Sequence, residues 1–258
     1  MKIGCSNHPR RDLIEEVRWI AANGFHFLDL FMEPDAALPD RVAVGLLKQT
    51  LADAGMPVVG HTAWYLPFGS PYPELRRQAV EIVCGYLPFL RELGCPLLTV
   101  HANWAPGLFS DRECIDFQLC SLEPLLTSAE RSQVRLIYEP LDTSRDTLDN
   151  LAVLLSRLPD LLIHLDLGHA HLCGLEPEAF FRRFPGKVAH IHLHDNDGRR
   201  DLHLPPGTGS IDWIRILRQV RRHYDGTITV EVFSQDRDYL LLSRKKLEEY
   251  WQEAGHLP

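Results

Sequence analysis

The feature that most constrains the fold of this chain is a regular alternation of short β-rich runs with longer amphipathic segments. The runs recur eight times, at residues 2–6, 25–30, 56–61, 96–101, 134–139, 161–166, 188–193 and 227–232. Helical patterns lie between them, such as residues 12–24, and residues 73–94, which we expect to kink or break at Pro88. Strict alternation predicts parallel strands joined by right-handed crossovers.

Eight such units in 258 residues predict an α/β fold, a single (β/α)8 TIM barrel, with residues 1–258 as one domain. No repeat, low-complexity segment or proline- and serine-rich linker divides the chain. An open, doubly wound sheet is the alternative. Such a sheet more often has a glycine-rich phosphate loop after its first strand, where this chain has the sequence SNHPRR.

Composition narrows the classes of function. A formal net charge of −8 disfavours a general attraction to nucleic acid. No apolar run is long enough to cross a bilayer, and the first residues, MKIGCSNHPRRDL, lack the apolar core of a signal peptide. The six cysteines form no CxxC pair. We therefore expect a cytoplasmic protein with reduced thiols and no membrane partner.

Polar side chains that can bind a metal ion end six of the eight predicted strands: His61, His101, Glu139, Asp166, His192 and Glu231. Taken singly, each would more commonly be a solvated or hydrogen-bonded residue. Because active sites of such barrels lie at the carboxyl ends of the strands, all six can point into one mouth. Without a cation they would repel one another or stay unsatisfied, so together they predict a metal site. His164 and His190, two residues earlier, are expected to be hydrogen-bonded core residues below it.

Three further candidates follow the strands. His169 comes three residues after Asp166, and Asp201 and His203 lie in the loop HLHDNDGRRDLHLPPGTGSIDW, residues 192–213. The glycines allow this loop to turn back toward the mouth, and Ser210 or Asp212 can cap the next helix. All nine candidate ligands offer nitrogen or oxygen and none is a thiolate, which suits Zn²⁺, Mn²⁺ or a similar divalent ion.

This pattern resembles the xylose isomerase-like TIM barrel superfamily, which includes sugar isomerases, ketose 3-epimerases, inosose-processing enzymes and endonuclease IV. The matching segments are HTAWYLP, YEPLD, HLDLGH, the 192–213 loop and VEVF. In the isomerase and epimerase branch, the resemblance implies one divalent ion held by Glu139, Asp166, His192 and Glu231. It also implies proton transfer on a sugar or sugar phosphate by Glu139 and Glu231. None of the five lysines ends the fifth strand, which favours proton transfer over a hydride shift.

In the endonuclease IV branch, the resemblance implies three zinc ions and cleavage of abasic DNA. One ion would be held by His61, His101 and Glu139, a second by Glu139, Asp166, His192 and Glu231, and a third by His169, Asp201 and His203. The loop after the second strand, FMEPDAALPD, is acidic where a loop that enters DNA would be basic. We therefore expect a small carbohydrate substrate, with or without a phosphate group, and keep the phosphodiesterase as the alternative.

Four residues near the predicted mouth are candidates for substrate binding. Trp64 and Tyr65 are expected to line a sugar pocket, with base stacking or local packing as the alternatives. Arg199 and Arg200, like the pair Arg10 and Arg11, can bind a single phosphate group or remain solvated. The pattern leaves open whether one, two or three ions bind and whether the protein forms oligomers.

Overall fold

The computed structural model describes residues 1–256 and is a closed barrel of eight parallel strands that pair in chain order, with β8 returning to β1. This confirms the predicted (β/α)8 fold and excludes the open sheet. The strands are β1 Lys2–Ser6, β2 Phe27–Met32, β3 Val58–Thr62, β4 Leu97–His101, β5 Arg135–Glu139, β6 Leu162–Asp166, β7 Val188–Leu193 and β8 Thr227–Val230.

Nine helices cover the outside of the barrel within the described residues. They are α1 Leu13–Ala22, α2 Val44–Asp53, α3 Pro73–Glu92, α4 Asp111–Arg131, α5 Leu148–Arg157, α6 Leu167–Leu172, α7 Pro177–Arg183, α8 Trp213–His223 and α9 Asp238–His256. Helix α3 runs through Pro88 without interruption, so the predicted break does not occur. Between residues 1 and 256, no helix combines the length and the apolar character that a membrane crossing requires.

Two strand boundaries differ from the prediction in ways that affect the site. Strand β2 begins and ends two residues later than the sequence pattern indicates, which puts Asp29 in its middle. Strand β8 ends at Val230, but the backbone N–H of Glu231 still donates to the carbonyl of Leu193 at 3.1 Å. Glu231 therefore continues the β-ladder and keeps the inward direction expected of a strand-end residue.

A layer of apolar side chains closes the lower part of the barrel interior. Phe27, Val59, Leu97 and Ile137 pack together there, separately from the larger core between strands and helices. Gly4 of β1 faces the ring of Phe27, and a Cβ atom at Gly4 would lie only 2.2 Å from that ring. The glycine thus leaves the space that the phenylalanine fills, as close packing of a barrel interior requires.

The loop between β7 and α8 is organised around one buried carboxylate. Asp195 accepts hydrogen bonds from the backbone N–H groups of Asn196, Gly207 and Ile211 and from the indole N–H of Trp213, at 2.8–3.2 Å. The loop therefore does turn back on itself. Asp212 caps α8, whereas the Ser210 hydroxyl donates to the Asn196 carbonyl.

Candidate active site

The six strand-end candidates meet at the carboxyl-terminal rim of the barrel. All six are buried, with exposed fractions between 0% and 6%. A chamber of about 350 Å³ opens above them, and its walls include His61, His101, Glu139 and Glu231. Asp166 and His192 lie deeper. The alternation of inward side chains along each strand thus brings residues 170 positions apart in the chain into one site.

Two groups of candidate ligands share Glu139. In the first, Nε2 of His61 lies 2.9 Å from Nε2 of His101, and Nε2 of His101 lies 3.2 Å from Oε2 of Glu139. In the second, one donor atom each from Glu139, Asp166 and His192 lie within 4.8 Å of one another. Oε2 of Glu231 lies 3.0 Å from Nδ1 of His192, which places Glu231 beside this group.

A third group lies at the edge of the chamber. Donor atoms of His169, His194, Asp201 and His203 are within 4.8 Å of one another. Oδ2 of Asp201 lies 2.8 Å from Nε2 of His203 and 3.4 Å from Nε2 of His169. His203 has a φ of 46°, a left-handed conformation that is uncommon for residues other than glycine. The loop held by Asp195 therefore brings Asp201 and His203 back to the mouth.

Charges of opposite sign compensate one another within the site. Burial by itself raises the pKa of a carboxyl group, but His164 and His101 hold the pKa of Glu139 well below its ordinary value. Burial by itself lowers the pKa of an imidazole, but Glu231 and Asp29 hold the pKa of His192 well above it. Against burial, Glu231 and Asp201 raise the pKa of His203 to about 9. The carboxylates are therefore ionised, and cationic imidazoles balance part of their charge.

Many polar atoms of the site lack a hydrogen-bond partner although they are buried. They include Nδ1 of His101, His169 and His192, Oε2 of Glu139 and Glu231, and Oδ2 of Asp166. Buried polar atoms are nearly always satisfied in folded proteins, so a concentration of exceptions at one place indicates a missing partner. Nitrogen and oxygen atoms are the donors that Zn²⁺ and Mn²⁺ accept. The residues present thus fit a divalent cation.

The predicted substrate-binding residues differ in where they lie. Trp64 is 61% exposed and lines the chamber, while Tyr65 stands beside it and contacts Glu33. Arg200 folds back onto Asp197, with 2.9 Å between Nη2 and Oδ2. Neither Arg199 nor Arg200 is among the residues that line the chamber. Their role in binding a phosphate group therefore stays a prediction that no contact supports.

Two residues that the sequence pattern did not single out belong to the site. Asp29 is completely buried in the barrel, and its Oδ2 lies 2.6 Å from Nε2 of His192 and 3.3 Å from Nε2 of His190. His194 is also fully buried, with Nε2 at 3.1 Å from Oδ1 of Asp166. Two features of the sequence could have pointed to these residues. Asp29 is a lone carboxylate within an apolar strand, and His194 continues the two-residue spacing of the histidines at 190 and 192. His164 and His190 are buried and hydrogen-bonded below the ligands, as expected.

Comparison with known proteins agrees with the barrel fold. The chain is 26% identical to fructoselysine 3-epimerase of Escherichia coli, over 94% of both proteins. It is 28% identical over 170 residues to an uncharacterized protein of Methanocaldococcus jannaschii, an alignment that covers 61% of this chain and 58% of that protein. A solved D-tagatose 3-epimerase-like structure superposes with a TM-score of 0.87 at 25% identity, covering 99% of this chain and 98% of that one.

The two relatives that carry an epimerase name align over nearly the whole barrel, whereas the alignment with the uncharacterized protein spans little more than half of that protein's length. The family model described as xylose isomerase-like TIM barrel matches residues 17–255, which hold all nine candidate ligands. The chain therefore belongs to the xylose isomerase-like TIM barrel family.

Proposed function

We propose that this protein is a divalent-metal-dependent epimerase or isomerase of a small sugar, working by proton transfer through Glu139 and Glu231. The observation that carries the proposal is the placement of these two carboxylates. They end strands three positions apart around the eight-stranded ring, line the same chamber and are almost completely buried. Two ionised carboxylates on either side of a bound sugar can remove a proton from one face and return it to the other.

The metal would be held by Glu139, Asp166, His192 and Glu231: donor atoms of the first three lie within 4.8 Å of one another, Glu231 lies beside His192, and each of the four has a buried polar atom without a hydrogen-bond partner. The chemistry that such an ion supplies is polarisation of a carbonyl oxygen, which acidifies the neighbouring C–H bond. Glu231 and Glu139 each present an Oε2 atom without a hydrogen-bond partner, where a proton can be accepted or donated. The pKa of Glu231 is lowered because His192 and His203 outweigh the effect of burial, so this carboxylate is ionised, the form that can accept a proton.

Other walls of the chamber suit a small polyol. The exposed face of Trp64 and the ring of Phe233 offer apolar surfaces against which a sugar ring can pack, while Asp142 and Glu33 offer hydrogen-bond acceptors. Within residues 1–256 no lysine lines the chamber, so a hydride shift assisted by a lysine has no candidate residue there. Proton transfer between the two glutamates remains the route that the side chains support.

A second candidate function is a three-metal phosphodiesterase acting on abasic DNA. The group of His169, His194, Asp201 and His203 favours it, because these donors form a third potential site next to the other two. Against it, the described residues that line the chamber include Glu33 and Asp142 but no arginine or lysine. Binding of a DNA backbone depends on cationic side chains, and an acidic mouth opposes it.

The deciding experiment follows exchange of sugar C–H protons with solvent. The protein, loaded with Mn²⁺ or Zn²⁺, is incubated with ketoses in D₂O, and loss of the proton signal next to the carbonyl is followed by NMR. We expect exchange that stops when a chelator removes the metal. Glu139→Gln and Glu231→Gln should each slow exchange by about 10²-fold or more, while Glu15→Gln on the exposed face of α1 should not. Cleavage of abasic DNA without any C–H exchange would establish the second candidate instead.

A further inference from the structure

A second cavity adjoins the chamber. It has a volume of about 480 Å³ and lies between the loops that follow β1 and β8. Phe31, Glu33, Trp64 and Phe233 line both spaces, so the cavity and the chamber lie side by side and share these four side chains as a wall. Small-molecule sites usually span roughly 300–1,000 Å³, and the chamber alone is near the lower end of that range. The two spaces together can hold a ligand larger than a simple sugar.

The second cavity contains two guanidinium groups but only one carboxylate paired with them. Arg11 precedes α1 and Arg237 precedes α9, and both line the cavity. Glu16, which is 3% exposed, accepts a hydrogen bond from Arg237 and another from the backbone N–H of His8 at 2.9 Å. Nη1 of Arg11 lies 3.9 Å from the same carboxylate. One carboxylate is thus shared by two guanidinium groups, and Glu33, which stands on the wall shared with the chamber, is not among the ion-pair partners of either arginine in the described residues.

Both arginines are held in place by other contacts. The guanidinium of Arg237 lies 4.8 Å above the ring of Trp19, and Nη2 of Arg11 donates to the carbonyl of Gln235 at 3.3 Å. Their side chains remain 27% and 34% exposed, so part of each guanidinium is free to bind a ligand. Burial and the charge of Arg11 lower the pKa of Arg237, which agrees with an excess of positive charge at this place.

We propose that the cavity formed by Arg11, Glu16 and Arg237 binds an anionic group, a carboxylate or a phosphate, of the sugar whose reacting carbons occupy the chamber. This inference rests on the proposed function and specifies its substrate as a ketose that carries an anionic substituent. Guanidinium groups bind both kinds of oxyanion through paired, charge-assisted hydrogen bonds. A substrate with its anionic group in the cavity and its reacting carbons in the chamber would extend past Trp64 and Phe233, which line both spaces.

The test compares three probes that differ in charge: D-fructose, D-fructose 6-phosphate and D-fructuronate. Their dissociation constants for the metal-loaded protein are measured by isothermal titration calorimetry, and C–H exchange in D₂O is measured in parallel. We expect at least one charged probe to bind about 10-fold to 100-fold more tightly than D-fructose, the range for hydrogen bonds to charged groups. Preference for the phosphate or for the carboxylate identifies which anion the cavity takes.

Three variants and a matched control make the assignment specific. Arg11→Gln should remove most of the preference for the charged probe while leaving the affinity for D-fructose unchanged. Arg237→Gln should do the same, and Arg11→Lys should restore part of the preference. Arg10→Gln is the control, because Arg10 is exposed and does not line the cavity. Equal binding of charged and neutral probes, or equal effects of Arg10→Gln and Arg11→Gln, would overturn the inference. Tight binding of a charged probe that depends on Arg11, without C–H exchange on any ketose, would keep the anion site and reject the epimerase.

Discussion

Oδ2 of Asp29, a carboxylate with no exposure to solvent, lies 2.6 Å from Nε2 of His192. This contact fixes the orientation of the imidazole and directs Nδ1, which has no hydrogen-bond partner, toward Glu231. The other carboxylate oxygen of Asp29 lies 3.6 Å from Nδ1 of His61. One carboxylate below the site thus contacts two of the proposed metal ligands, an arrangement that orients ligating histidines in many metalloproteins.

Replacing this carboxylate should weaken metal binding more than it weakens the fold. In Asp29→Asn, the amide keeps the shape but loses the charge that orients His192, so we expect the affinity for Zn²⁺ or Mn²⁺ to fall about 10-fold to 100-fold. Titration of metal-free protein followed by calorimetry measures this. Asp53→Asn, at the exposed end of α2, is the control and should bind the metal like the unmodified protein. An unchanged affinity in Asp29→Asn would show that His192 does not need this partner.

The third ligand group separates a single-metal epimerase from a three-metal hydrolase. We expect His169→Ala and His203→Ala to keep one metal per chain and to raise KM for the sugar by about 10-fold, through loss of a hydrogen bond. Elemental analysis gives the metal content, and steady-state kinetics gives KM and kcat separately. Loss of bound metal in either variant, together with loss of DNA cleavage, would favour the hydrolase.

Gly168 provides space for His194, and filling that space should disturb the site. A Cβ atom at Gly168 would lie 2.1 Å from Cε1 of His194, so Gly168→Ala must displace the imidazole. We expect the free energy of unfolding to fall by about 1–3 kcal/mol, the usual cost of overpacking. Gly85 lies within α3, where an added Cβ atom would have open space around it, so Gly85→Ala should instead stabilise the protein by roughly 0.5–1 kcal/mol. Urea denaturation of both variants checks the difference, and equal midpoints would show that His194 moves at no cost.

The six cysteines are free thiols with different access to solvent. Cys95 is buried, and burial raises the pKa of its thiol to about 12, so very little thiolate exists at neutral pH. Cys120 is exposed on α4. We expect iodoacetamide at pH 8 to modify Cys120 in the folded protein and to leave Cys95 intact, with both modified after unfolding in urea. Peptide mass spectrometry locates the label, and comparable modification of the two thiols in the folded protein would contradict this prediction.

The sequence was sufficient to predict the barrel and the meeting of the strand-end ligands, because both follow from local periodicity. Alternation of strands and helices determines the fold class, and the two-residue period of a strand determines which side chains share a face. The same period continues to His194, one residue beyond the end of β7, which the structure places at Leu193 as predicted. Asp29 was missed because it lies in the middle of β2 and candidate ligands were sought at strand ends.

Other parts of the site depend on contacts that no local pattern records. Arg11 and Arg237 are 226 positions apart and meet only because β8 closes the barrel against β1. The left-handed backbone at His203 follows from the loop that Asp195 holds together, not from the preference of a histidine. The meeting of the two arginines depends on closure of the barrel, and the backbone of His203 depends on the geometry of its loop. The sequence specifies both only through the complete fold.

The layer of Phe27, Val59, Leu97 and Ile137 determines the side from which a ligand can enter the chamber. Because these side chains fill the barrel below Asp29 and the histidines, the chamber has a floor, and molecules reach it only from the rim. A ligand must therefore enter and leave the chamber through the same opening, past Trp64 and Phe233. The product of the proposed epimerisation would differ from its reactant at one carbon and would fit the vacated space almost as well as the next reactant molecule, so the two would compete for a single entrance.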